Sequence, residues 1–75
     1  MTLAQAKKNT PSRIVSIGGE RSFRRRLMEL GLVPGVEILL LNVAPMGDPL
    51  ELLVRGSRLS IRRAEAAALV IEHAA

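Results

Sequence analysis

The sequence predicts a mainly β fold, a small closed or partly open barrel of about five short strands with one helix inserted after the first strand. Three observations predict it. Short β-branched or alternating apolar runs recur along the chain, and turn signals built from Gly, Pro, Asn and Asp separate them about every eight to twelve residues. A single stretch, Glu20 to Leu30, changes its apolar period from that of a strand to that of a helix. Seventy-five residues make one domain, and a chain this short buries only about 60–65% of its unfolded surface. With no cysteine, the 48% apolar content, nearly all aliphatic, must hold the fold unaided. Closure into a barrel suits that size because it hides strand edges.

Residues 1–11 read as a lead-in, one helical turn over Thr2 to Ala6 broken by Lys7 to Pro11, and residues 12–75 as the barrel domain. Arg13-Ile14-Val15-Ser16-Ile17 is the first strand, and Gly18-Gly19 ends it. In the helix, Phe23, Leu27 and Leu30 form a narrow apolar stripe at i, i+4 and i+7. Arg21, Arg24, Arg25 and Met28 lie on the other side, and Arg26 stands at the border, where its stem can cover apolar surface. Gly31 takes the place of a left-handed C-cap, with Leu32 making the apolar contact that accompanies it. Val33-Pro34-Gly35 is a turn. Val36 to Val43 follows, with Val36, Ile38 and Leu40 on one face and Leu39, Leu41 and Val43 on the other, so this strand is expected to be covered on both sides. Ala44-Pro45-Met46-Gly47-Asp48-Pro49 is a hairpin loop. Leu50, Leu52 and Val54 alternate with Glu51, Leu53 and Arg55 in a half-buried strand; a tight Arg55-Gly56-Ser57 turn leads to Leu59-Ser60-Ile61. Arg62 to Ala66 is a short polar bridge, and Leu69 and Ile71 alternate into the last strand.

Several function classes lack their parts. His73 is the sole histidine and the carboxylates are scattered, so no catalytic constellation forms, and no enzyme, resident cofactor or metal site is expected. No secretory signal pattern opens the chain, and the longest apolar run, Ala66 to Ile71, is six residues against the roughly 20 that a spanning helix needs. A soluble chain with no direct membrane insertion is expected. Eleven Lys and Arg against seven Asp and Glu give a net charge of +4, which steers encounters toward acidic partners. Nucleic acid is the first such partner to weigh, through the helix arginines. The chain's one aromatic, Phe23, falls on the core stripe and leaves nothing to stack bases, so nucleic acid is not expected.

A protein-binding module fits better. Met28 on the polar side of the helix, Met46 at a loop tip, and Leu39, Leu41 and Leu53 on outward strand faces are apolar residues that a single core does not use. Arg24 and Arg25 supply rim charge beside them. A structural reading competes, in which the leucines complete the cover of the barrel beneath the helix. Self-association through the same strip, giving a homo-oligomer, is a third reading.

Four motifs in order then carry a resemblance. Arg26-Leu27-Met28-Glu29-Leu30-Gly31-Leu32-Val33-Pro34-Gly35 resembles the RLxxLGLxPG signature of FeoA-domain proteins. Ala44 to Leu50 is similar to their APxGDPL hairpin, Arg55-Gly56 and Leu59 to Ala66 to their RGxxLSLRxxEA segment, and Leu69 and Ile71 stand in the closing IxV places. Ile61 replaces a usual Leu, a volume-conserving change, and the family's Leu and Gly ahead of the first strand give way to Ala6 and the Lys7 to Ser12 segment. The resemblance implies an SH3-like barrel and an accessory of bacterial ferrous iron uptake. Such an accessory would be cytoplasmic, at the inner face of the membrane, and partnered with a ferrous iron permease whose cytosolic region carries a G-protein domain. It also extends to the C-terminal module of iron-dependent repressors, where a DNA-binding domain is fused. Residue by residue it makes Gly31, Pro34, Gly35, Gly47, Asp48, Pro49 and Gly56 chain-shaping positions. It makes Arg26 and Arg62 tethers to carbonyls or carboxylates.

Overall fold

The computed structural model describes residues 1–74, and its elements follow the runs of the sequence. Ser12–Ile17 is β1, and the arginine-rich Arg21–Glu29 is α1. Glu37–Val43, Leu50–Val54 and Ser57–Ile61 are β2, β3 and β4; Arg63–Ala66 is one helical turn, α2; Leu69–His73 is β5. A 3-10 turn over Leu3–Gln5 precedes them. All pairings are antiparallel, in one five-stranded sheet ordered β4-β3-β2-β1-β5.

The period-two pattern of the strands decides what is inside. Ile14, Ile38, Leu40, Leu50, Leu52, Val54, Ile61, Leu69 and Ile71 join Leu3, Leu27, Leu32, Val36 and Ala66 in one core. Because all five strands face that core, the sheet curls around it as a small barrel. Irregular registers between Ile14 and Ser16 and between Leu40 and Asn42 bend the strands as they turn. The edge strands β4 and β5 do not pair with each other. The 3-10 turn and α2 touch one another at that opening, and Leu3 and Ala66 bring buried side chains into the core from there. The chain start also covers the outer side of β5: Thr2 bridges to Val70, and the Ile71 N–H donates to the Met1 carbonyl at 2.8 Å.

The helix stop is the sharpest local feature. The Gly31 N–H donates to the Met28 carbonyl at 3.0 Å and the Leu32 N–H to the Leu27 carbonyl at 3.1 Å, the paired bonds of a Schellman cap, with Gly31 at φ +97°. This corrects the expected apolar stripe. Leu30 is the cap residue and is 47% exposed, whereas Leu32, folded back by the left-handed glycine, is fully buried against the core with Leu27. The chain then passes a type II turn, in which the Val36 N–H donates to the Val33 carbonyl at 3.1 Å with Pro34 at the first central position and Gly35 at φ +92° at the second. A second correction concerns β2. Its inward residues are buried as expected, but Leu39 and Leu41 are only half-buried, so no layer fully covers that face. The irregular register after Leu40 turns Val43 to the inner side, opposite buried Leu50, where it packs against the core.

The contrast within the helix gives a stability test. Leu27→Ala should lower unfolding free energy by about 2–5 kcal/mol, because it opens a cavity in the core. Leu30→Ala should stay within about 0.5 kcal/mol. Gly31→Ala should cost about 1–2 kcal/mol through its left-handed backbone alone, since an added Cβ would meet only Val54 at 3.9 Å. Urea unfolding followed by circular dichroism checks all three.

Candidate partner-binding surface

The helix sets out its charges by period. Arg21, Arg24, Arg25 and Met28 fall at i, i+3, i+4 and i+7, one stripe of α1. Leu27 is fully buried on the opposite side, so the stripe is held toward solvent, and Met28 is 46% exposed. Beside it runs an open groove of about 580 Å³, floored by Ile17 at the end of β1 and by Val33 and Pro34 of the type II turn. Glu29 is the one carboxylate lining it, 4.0 Å from Arg25. Both of these side chains are largely exposed, so the pair is weak.

The remaining predicted contact residues lie elsewhere. Leu39 pairs directly across the sheet with Leu53, and both line a second, smaller groove with Pro11, Val36 and Arg55. Leu41 is the extra residue at the irregular register of β2 and lines neither groove. Met46, 92% exposed, stands at the tip of the β2–β3 loop. Arg24, Arg25 and Met28 are thus brought together, Leu39 meets Leu53, and Leu41 and Met46 stand apart from both.

The motif residues shape and tie the chain. Gly47 at φ +84° lets its N–H reach back to the Ala44 carbonyl at 2.7 Å, and the Asp48-Pro49 peptide bond is cis. Arg55 and Gly56 both have positive φ, +51° and +79°, which makes the two-residue turn between β3 and β4 the primed type that matches strand twist. Arg26 bonds the Glu65 carboxylate through Nη2 and lies 5.8 Å from the centroid of the Phe23 ring. Glu65 also accepts the Arg62 main-chain N–H at 2.8 Å, half of a capping box at the start of α2.

The second tether falls one residue beyond Arg62. Arg63 donates through Nε to the Gly47 carbonyl at 2.7 Å and through Nη1 to the Ala4 carbonyl at 3.1 Å, while its main-chain N–H donates to Asp48 Oδ1 at 3.0 Å. Sequence reasoning passed over Arg63 and Glu65. The Glu65 signal was its place three residues after the helix cap; Arg63 left none, because its side-chain partners are carbonyls 16 and 59 residues away.

Among the described residues no group of three or more His, Cys, Asp or Glu could hold a metal ion, and no helix is long and apolar enough to cross a membrane.

This geometry has known counterparts. The family model for the FeoA domain matches residues 1–73. A Porphyromonas gingivalis protein, described as a fusion of Fe(2+) transport protein A with the Fe(2+) transporter FeoB, is 32% identical over 72 residues, which are 96% of this chain and 8% of that protein. The solution structure of FeoA protein from Chlorobium tepidum is similar at a TM-score of 0.92 and 39% identity, across all of this chain and 71% of that one. Stenotrophomonas maltophilia FeoA, a zinc complex described as a prokaryotic SH3 domain protein, is similar at a TM-score of 0.81 and 32% identity, across 96% of this chain and 89% of that one.

The two neighbouring arginines should separate in a test. Arg63→Ala should cost about 1 kcal/mol and speed amide exchange at Gly47, whereas Arg62→Ala should leave both near wild type. Hydrogen exchange followed by nuclear magnetic resonance reads the difference.

Proposed function

Because the chain belongs to the FeoA domain family, we propose that it is an accessory of ferrous iron transport that binds the cytosolic region of a ferrous iron permease, which carries a G-protein domain. The observation that carries this reading is the relative in which such a domain is covalently joined to a FeoB transporter. Fusion fixes two partners at high effective concentration. Such proximity serves a contact between surfaces, and this domain exposes apolar groups that its core does not use. Met28 is 46% and Met46 92% exposed, and Leu39 and Leu53 form a half-buried pair on the sheet. Exposed apolar groups flanked by charge are what a reversible protein contact uses. The proposed place of action is the cytoplasmic side of the membrane, with the permease supplying the anchorage.

Calorimetric titration of the full chain with the recombinant cytosolic region of the permease tests the reading. Binding in about the micromolar range is expected, and Met28→Glu should weaken it about tenfold or more by placing a carboxylate in the contact. Absence of binding by the wild-type chain would remove the reading. Unchanged affinity in folded Met28→Glu and Leu39→Glu variants would move the contact to another surface.

A further inference from the structure

We propose that the groove beside α1 is a docking site for an acidic peptide segment carrying at least one apolar side chain. The proposal rests on the permease reading for the source of that segment, and on the groove itself for its chemistry.

The argument begins with a repulsion left standing. Arg21, Arg24 and Arg25 occupy neighbouring positions three and four residues apart, where like charges oppose helix formation. Arg25 has Glu29 at the 4.0 Å limit of an ion pair; Arg21 and Arg24 have no carboxylate within 4 Å among the described residues. The fourth arginine of the helix shows the alternative, since Arg26 turns to Glu65 and is spent on the fold. The other three cannot turn inward, because Leu27 fixes the opposite side of α1 in the core. An anionic occupant would relieve the repulsion, and the guanidinium fork suits a carboxylate in two-pronged contact. The net charge of +4 draws such a partner from a distance.

The floor selects among anions. Ile17, Met28, Val33 and Pro34 are apolar, and the proline-glycine turn holds the last two rigid. A free phosphate or a sugar-phosphate strand would leave that floor wet. Base stacking has nothing to use either: Phe23, the one aromatic, is partly buried against the core beneath Arg26 and does not line the groove. An extended or helical peptide meets both demands, with carboxylates to Arg21 and Arg24 and an apolar side chain to Met28, whose flexible thioether adapts to its shape.

The test is a peptide array probed with the full chain. It carries overlapping 12-residue segments tiling the permease's cytosolic region, together with synthetic controls of alternating Glu and Leu and of alternating Lys and Leu. Binding to acidic, apolar permease segments is expected, falling about tenfold in the double variant Arg21→Glu/Arg24→Glu. It should rise about twofold in Glu29→Gln, which removes the groove's own carboxylate, a gain that a merely folded surface would not give. Circular dichroism confirms that these exposed changes leave the fold intact. Capture of the Glu-Leu control alone would support the groove chemistry while removing the permease as its source. Capture of permease segments irrespective of charge, or unchanged by the double variant, would overturn the acidic-segment proposal and leave the permease reading standing. No capture of any acidic peptide would overturn the proposal, and calorimetry with the intact cytosolic region then judges the permease reading separately.

Discussion

One residue, Arg63, ties together three segments at the open side of this barrel, beside the buried Leu3 and Ala66 side chains that fill it. The sheet ends at β4 and β5, which do not pair, and a chain of 75 residues without cysteine has neither a disulfide nor a second layer to close the opening. Arg63 spans it from α2: one donor reaches the Ala4 carbonyl within the 3-10 turn, another the Gly47 carbonyl in the β2–β3 loop, and its main-chain N–H meets Asp48. The three bonds join segments far apart in sequence, so each closes a long loop of chain whose entropy cost grows only slowly with length. Leu3 and Ala66, brought in by these same segments, then complete the core. Without the tether, the lead-in would be held chiefly by Leu3 and by its bonds to β5, and the β2–β3 loop would lose the contacts that orient its tip.

The arginines show why charge in a sequence is ambiguous. Arg26 and Arg63 satisfy carboxylate and carbonyl oxygens across the fold, whereas Arg21 and Arg24 face solvent without a carboxylate within ion-pair distance among the described residues. Residue type does not separate the two groups, and neither does local spacing. What separates them is whether the topology brings an acceptor within reach. Glu65 reaches Arg26 across 39 residues, which no periodicity encodes.

Legibility followed the range of the interaction. The Gly31 cap, the Pro34-Gly35 turn and the Arg55-Gly56 turn are decided within four or five residues, and each formed as the sequence implied. Strand alternation was legible for the same reason, and so was the fold class. The exceptions begin where local rules meet tertiary demand. Leu30 continues the apolar stripe by period, yet the left-handed turn at Gly31 ends the helix at its position and hands its core place to Leu32. Of the surface, the helix period located Arg24, Arg25 and Met28 together, and the strand register paired Leu39 with Leu53. The separation of Met46 and Leu41 from them depends on how the sheet curls, and composition carries no record of that.

The fold also restricts how a partner could approach. Small antiparallel sheets often bind by adding a strand at a free edge, and both edges here are guarded. On β5, Met1 and Thr2 already occupy positions along the outer side. β4 is five residues long and carries the exposed charge of Arg58, the usual means by which a sheet discourages pairing. The helix insertion has the opposite character. It is anchored at its end by the Schellman cap, fixed in rotation by buried Leu27, and braced by Arg26 against α2, so the backbone that carries its outer stripe is held in one orientation. A backbone ordered in advance leaves only the arginine and methionine side chains to be ordered when it binds. In a protein with so thin a core, recognition by side chains on a rigid helix also leaves the backbone pairing of the barrel undisturbed, which recruitment of an edge strand would not.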